Sequence, residues 1–176
     1  MRAPHEQVAG LISAYRRARP LDTQGDIYTQ IFGDHRYRRS VTRAAELQIS
    51  HDGAPVYMYL LKWKSPALNG ILRTPHTLCL AFAFGNIDRA TGITGTGAER
   101  YPLQEEMAGA WLAFASSGNP NHRGLTTWHH YARTARATMV FDTETHLVND
   151  PLQEERVAFE SYPRYEPAIG EAEGNW

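Results

Sequence analysis

Only one cysteine, Cys79, occurs in 176 residues, which excludes an internal disulfide and suits a reducing compartment. Long apolar runs are missing as well. The longest, Val56 to Leu61 and Leu78 to Phe84, fall far short of the roughly 20 residues that a membrane-spanning helix requires. Met1-Arg2-Ala3-Pro4-His5-Glu6 lacks the apolar stretch of a secretory signal, so a cytoplasmic location is the expectation. Excess charge of one sign is absent, since 18 basic against 19 acidic residues leave a net charge of -1. Neither nucleic acid nor a membrane surface is therefore an expected partner; the local group Arg36, Arg38, Arg39 and Arg43 is spread around a solvated helix. There is no internal repeat and no heptad.

What is present reads as one soluble α/β unit. Val8, Leu11, Ile12 and Tyr15 fall at i, i+3, i+4 and i+7 between Pro4 and Pro20, which predicts a one-sided helix. A short helix is expected from Asp26 to Phe32, and Asp34 is placed to cap a longer one that Asp52-Gly53 stops. Pro55 to Trp63 is a β-favouring apolar run without alternation, as in a strand buried on both faces of a parallel sheet. Gly70 to Phe84 reads as loop with a short helical turn, and Gly92 to Gly97 as a flexible connector. Leu103, Met107, Ala110, Trp111 and Phe114 form one stripe of a helix from Pro102 to Ser117, stopped by Gly118. Ala137 to Asp142 and His146 to Asn149 predict a hairpin at a sheet edge. A last helical turn is expected at Glu154 to Phe159, and residues 163–176 read as a polar tail. One strand of the parallel-sheet kind and one hairpin make an incomplete sheet, because such a strand needs neighbours on both edges.

For chemistry, the eight histidines include no His-x-x-x-His pair, so neither a zinc site nor another cofactor is expected. His122, His129 and His130 read as exposed loop residues. Gly92 to Gly97 follows no predicted strand and lacks Gly-Lys-Ser/Thr, which argues against a phosphate loop. His76 and Cys79 are close enough in sequence to meet on a helical turn, but an apolar run disfavours the thiolate. The seven serines all lack the Gly-x-Ser-x-Gly turn that exposes a nucleophilic oxygen, and no His-Gly-Gly-Gly segment offers oxyanion donors. His76 is thus a candidate base with nothing to activate.

Arg73-Thr74-Pro75-His76-Thr77-Leu78-Cys79-Leu80-Ala81-Phe82-Ala83-Phe84-Gly85-Asn86 resembles the type B carboxylesterase segment His-x-x-Glu-Leu-Pro-Phe-x-Phe-Gly, with His76 on the triad histidine. The resemblance continues in order through Ala54 to Tyr59, Ala110 to Ala115 with Gly118-Asn119-Pro120-Asn121, Trp128 to Tyr131, Thr138 to Asp142, and Asn149-Asp150-Pro151 with Arg156. It covers roughly Val8 to Arg156. Cys79 stands where the family has a glutamate and Ala81 where it has a proline, which touches the polar surroundings of His76 rather than the triad acid.

The resemblance implies the C-terminal portion of an α/β-hydrolase fold, its last strands with flanking helices, over residues 1–162. It implies a serine ester hydrolase acting on a small-molecule carboxylic ester, in which His76 is the general base. The nucleophile, the acid and the oxyanion donors are expected on an N-terminal part of the same fold, so the chain alone is expected to be inactive. An esterase-derived binding or dimerisation module is the alternative, and a thiol hydrolase using Cys79 with His76 a third reading.

Overall fold

The computed structural model describes residues 5–51, 53–160 and 162; the polar tail expected over 163–176 lies outside them. The chain divides into two compact units, one of residues 1–47 with 152–176 and one of residues 48–151. Where the chain length leads to an expectation of one core, the buried apolar residues form two clusters.

In the first unit α1 (His5–Ala18), α2 (Gln24–Gly33) and α7 (Gln153–Ala158) enclose Leu11, Tyr15, Ile27 and Phe159. Thr23 caps α2 with a reciprocal Thr23–Asp26 capping box, which satisfies orphan backbone donors at the helix start. Asp34 does not cap the following helix. The backbone runs in helical conformation through a wide turn at Asp34–Arg38 directly into α3 (Arg39–Ser50). Asp34 is instead buried and accepts hydrogen bonds from the Tyr15 hydroxyl at 2.5 Å, from Gln30 at 3.0 Å, and from Arg38 at 2.7 and 2.8 Å. A buried carboxylate requires such partners; Gln30 and Arg38 are four residues away on either side, but Tyr15 comes from α1, 19 residues distant, which no local pattern announces.

Burial pushes the Tyr15 phenol above its ordinary range, and the Asp34 charge pushes it further in the same direction. An unfolded chain loses that proton near pH 10 while the folded one retains it. Stability of this unit is therefore fully present below about pH 10 and falls above it by about 1.4 kcal/mol per pH unit. Following phenolate absorbance during alkaline titration should show one late-ionising tyrosine fewer in Tyr15→Phe, the buried Tyr59 remaining; an unchanged late phase would contradict this.

The second unit is built on a sheet of order β1-β2-β3, with β1 (Met58–Leu61), β2 (Ala137–Phe141) and β3 (His146–Asn149). β1 and β2 are parallel and β2 and β3 antiparallel. The expected hairpin is present, but its first strand is central in this sheet and wholly buried, whereas β1 is only half-buried along its length. The reason is the edge: among the described residues β1 has a strand neighbour on one side alone.

One face of the sheet carries Tyr59, Leu61, Met139 and Phe141 into a cluster with Trp63, Leu78, Phe82, Leu103, Met107 and Trp128. The last helical residues come from α4 (Leu78–Ala83) and α6 (Arg100–Ser117). Gly118, at φ 73°, ends α6 in the left-handed conformation that glycine adopts without steric cost. Residues Thr91–Thr94 of the expected connector form a helical turn, α5, with Thr94 fully buried.

Candidate active site

His76 lies beyond the carboxyl end of β1, on the loop that joins the strand to α4. In open α/β sheets, ligand-binding residues gather at these carboxyl ends. Two hydrogen bonds pin the loop before the histidine: Ser65 N donates to Arg73 O at 2.8 Å, and the Thr74 hydroxyl donates to Trp63 O at 2.8 Å. Ser65 is buried, and Trp63 packs edge-on against Phe82 with ring centroids 5.2 Å apart. Behind the histidine, Leu78 is fully buried at the start of α4. His76 itself is exposed between these two anchors.

The loop contains a run of left-handed residues, Leu68, Asn69 and Gly70, with Arg73 and Thr77 further on. Non-glycine residues in that region carry local strain, which surrounding structure must hold and which concentrates at functional sites. α4 buries Leu78, Ala81 and Phe82 while Leu80 and Phe84 stay exposed one turn apart; Ile71 is exposed on the loop. Apolar side chains thus border the histidine on both sides in sequence.

Cys79 is half-buried and packs against the main core. Tyr59 neighbours it: burial pushes the Tyr59 phenol up, and Cys79 adds in the same direction. Alkylation of Cys79 at neutral pH should be slow in the folded chain and rapid after denaturation; equal rates would contradict this placement.

Among the described residues no group of three or more His, Cys, Asp or Glu side chains is arranged to hold a metal ion, and no helix is long and apolar enough to cross a membrane. His129 and His130 are exposed as expected. His122 is not a free loop residue: Gly124 N donates to its Nδ1 at 3.2 Å, which leaves Nε2 to donate to Glu106 O at 3.1 Å. Asn121 nearby clips the backbone of Trp128, accepting from its N–H at 2.6 Å and donating to its carbonyl at 3.0 Å.

The glycine-rich segment serves packing. Buried Arg100 donates from Nε to Gly97 O at 2.8 Å, from Nη1 to Ile87 O at 3.1 Å and the Thr94 hydroxyl at 3.2 Å, and from Nη2 to Asp88 at 2.7 Å. Sequence reasoning passes over Arg100 because two of its four acceptors are backbone carbonyls, which any sequence supplies, and the other two, Thr94 and Asp88, lie 6 and 12 residues away.

The arrangement of sheet, loop and helices is that of carboxylesterases with the α/β-hydrolase fold. It matches a Geobacillus stearothermophilus carboxylesterase with a TM-score of 0.73 at 29% identity, over 86% of this chain and 32% of that one. A PNB esterase matches with a TM-score of 0.66 at 27% identity, over 84% of this chain and 32% of its own. The para-nitrobenzyl esterase of Bacillus subtilis is 35% identical over 107 residues, which are 58% of this chain and 21% of that protein. The carboxylesterase family model matches residues 5–160. The chain belongs to the type B carboxylesterase family, and it spans about a third or less of the length of these relatives.

Proposed function

We propose that this chain is the histidine-bearing segment of a serine carboxylic-ester hydrolase, with His76 as general base. The supporting observation is the placement of an exposed His76 on a doubly anchored, strained loop at the carboxyl end of a parallel strand. A reacting serine needs its base within hydrogen-bond reach, and His76 is held at the surface on a fixed loop. His76 takes the serine proton during acylation and passes it to the leaving alcohol; it then activates water for deacylation. The serine, the triad acid and the oxyanion donors come from a further polypeptide segment of the same fold. The exposed apolar side chains Ile71, Leu80 and Phe84 suit an uncharged ester.

Purified alone, the chain should show no saturable hydrolysis of p-nitrophenyl esters, only the weak background of an exposed imidazole. Activity should appear when the chain is refolded with the part of Bacillus subtilis para-nitrobenzyl esterase that precedes its matching segment. Saturable turnover by the chain alone that disappears in His76→Ala would contradict the reading and favour self-sufficient chemistry.

A further inference from the structure

An asparagine loses its side-chain amide when the backbone nitrogen of the next residue attacks it, so its fate depends on that residue's bulk and on what holds the N–H. The chain has six asparagines, and the structure shields four of them. Asn119 is followed by Pro120, which has no N–H. Asn121 has its side chain fixed on Trp128, accepting from the N–H at 2.6 Å and donating to the carbonyl at 3.0 Å. After Asn86 comes buried, β-branched Ile87, whose N–H donates to Gln104 Oε1 at 3.2 Å. After Asn149 comes Asp150, whose N–H donates to Arg136 O at 3.1 Å. Asn175 lies outside the described residues.

Asn69 differs on each count. It is exposed on the loop that leads to His76, and Gly70 follows it. Glycine has no Cβ to shield its nitrogen. The nearest atom on that bare side is Ser65 O, 3.9 Å from where a Cβ would stand. Gly70 N donates only to Pro66 O at 3.3 Å, longer than an ordinary backbone hydrogen bond. Leu68 and Asn69 both hold left-handed backbone, at φ 51° and 56°, a conformation that costs free energy in any residue with a Cβ. Attack requires the Asn69 backbone to rotate until Gly70 N faces Cγ. A strained, exposed turn with long hydrogen bonds opens readily, and leaving it relieves the strain.

We propose that Asn69 is a self-modification site whose conversion loosens the loop that presents His76. Gly70 N gives up its proton to solvent base and bonds to Asn69 Cγ. The Cγ–Nδ2 bond breaks, the nitrogen takes a proton from solvent, and ammonia leaves a cyclic imide. Water then opens the ring. Cleavage at Cγ gives aspartate, and cleavage at the Asn69 backbone carbonyl gives isoaspartate, in which the main chain runs through Cβ and Cγ. The hydrogen bond from Ser65 N to Arg73 O, at 2.8 Å, closes the loop around Asn69. Isoaspartate inserts a methylene into the main chain inside that closure. Either product also puts a carboxylate into the stretch from Gly53 to Ile87, which has no acidic residue. The proposal does not depend on the role of His76 in ester hydrolysis.

The test is mass spectrometry of peptides from the folded chain held in mildly alkaline buffer, with fragmentation that separates aspartate from isoaspartate. Asn69 should be converted before any other asparagine, with isoaspartate the larger product. Gly70→Ala should slow conversion by about ten-fold or more, since a Cβ crowds the attacking nitrogen and raises the barrier. Alanine is strained at the Gly70 φ of 77°, so Gly70→Asp, a residue that tolerates this region, carries the same test if circular dichroism shows the alanine variant unfolded. In the isoaspartate form the Ser65 amide should exchange about ten-fold faster than in the unconverted chain. The site is overturned if Asn69 keeps its amide while another asparagine loses one, if conversion occurs only in denaturant, or if a folded Gly70 variant converts at the unmutated rate. Conversion that leaves Ser65 exchange unchanged overturns the effect on the loop.

Discussion

In an esterase assembled from this chain and a serine-bearing family segment, His76→Ala is expected to lower kcat by about 10⁴-fold or more while KM stays within a few-fold. The expected split follows from the role. A general base acts as the serine attacks, so its loss removes stabilisation that exists mainly in the transition state, and substrate affinity is little affected. Exposure makes the variant structurally mild: His76 lies outside both buried clusters, and the anchors that shape its loop come from Ser65, Thr74 and Leu78. Far-ultraviolet circular dichroism and association with the partner segment should match the unmutated chain. A variant that retains more than a tenth of the activity would remove His76 from the reaction.

The second large effect is structural. Arg100→Met should destabilise the second unit by about 3 kcal/mol, because the charged hydrogen bonds to the Gly97 and Ile87 carbonyls and to the Thr94 hydroxyl are lost together and the side chain that filled the space is replaced by one that cannot hydrogen-bond. The Asp88 contact contributes little to this, since that carboxylate is 62% exposed and an exposed partner is screened by water; Asp88→Asn should cost less than about 1 kcal/mol. Amide exchange across Ile87 to Thr94 is the sensitive measure. It should accelerate strongly in Arg100→Met and barely in Asp88→Asn, and comparable effects would show that the ion pair, not the backbone clamp, holds the segment.

The helices were legible wherever an apolar stripe has helical period, as at Leu11 and Tyr15 in α1 or Leu103, Met107 and Ala110 in α6. The hairpin was legible from its two β-favouring runs around Thr143-Glu144-Thr145. What escaped depends on partners distant in sequence or on backbone. Asp34 has the composition of a cap but meets Tyr15, 19 residues away. Thr94 lies in a stretch whose three glycines mark a connector, yet Arg100 and the Ile87 carbonyl bury it. His122 is bound through two backbone groups that no residue type reveals. The candidate site divides in the same way: His76 is a candidate through the family resemblance of the residues around it, whereas the proximity of Tyr59 and Cys79 needs the packing that brings β1 beside α4.

The same contrast explains β1. An unbroken apolar run signals burial on both faces and both edges, and the strand is half-buried because one edge has no strand neighbour among the described residues. Sequence therefore reported what the strand is suited to, and the structure reports how much of that surrounding this chain supplies.

The most direct test of the central claim, that His76 serves a serine brought by another segment, is mass spectrometry of the assembled esterase quenched soon after mixing with a p-nitrophenyl ester. The acyl group should be found on a serine of the partner segment and be absent from that serine when the chain carries His76→Ala. An acyl group on Cys79, or on His76 in the chain alone with saturable turnover, would contradict the account.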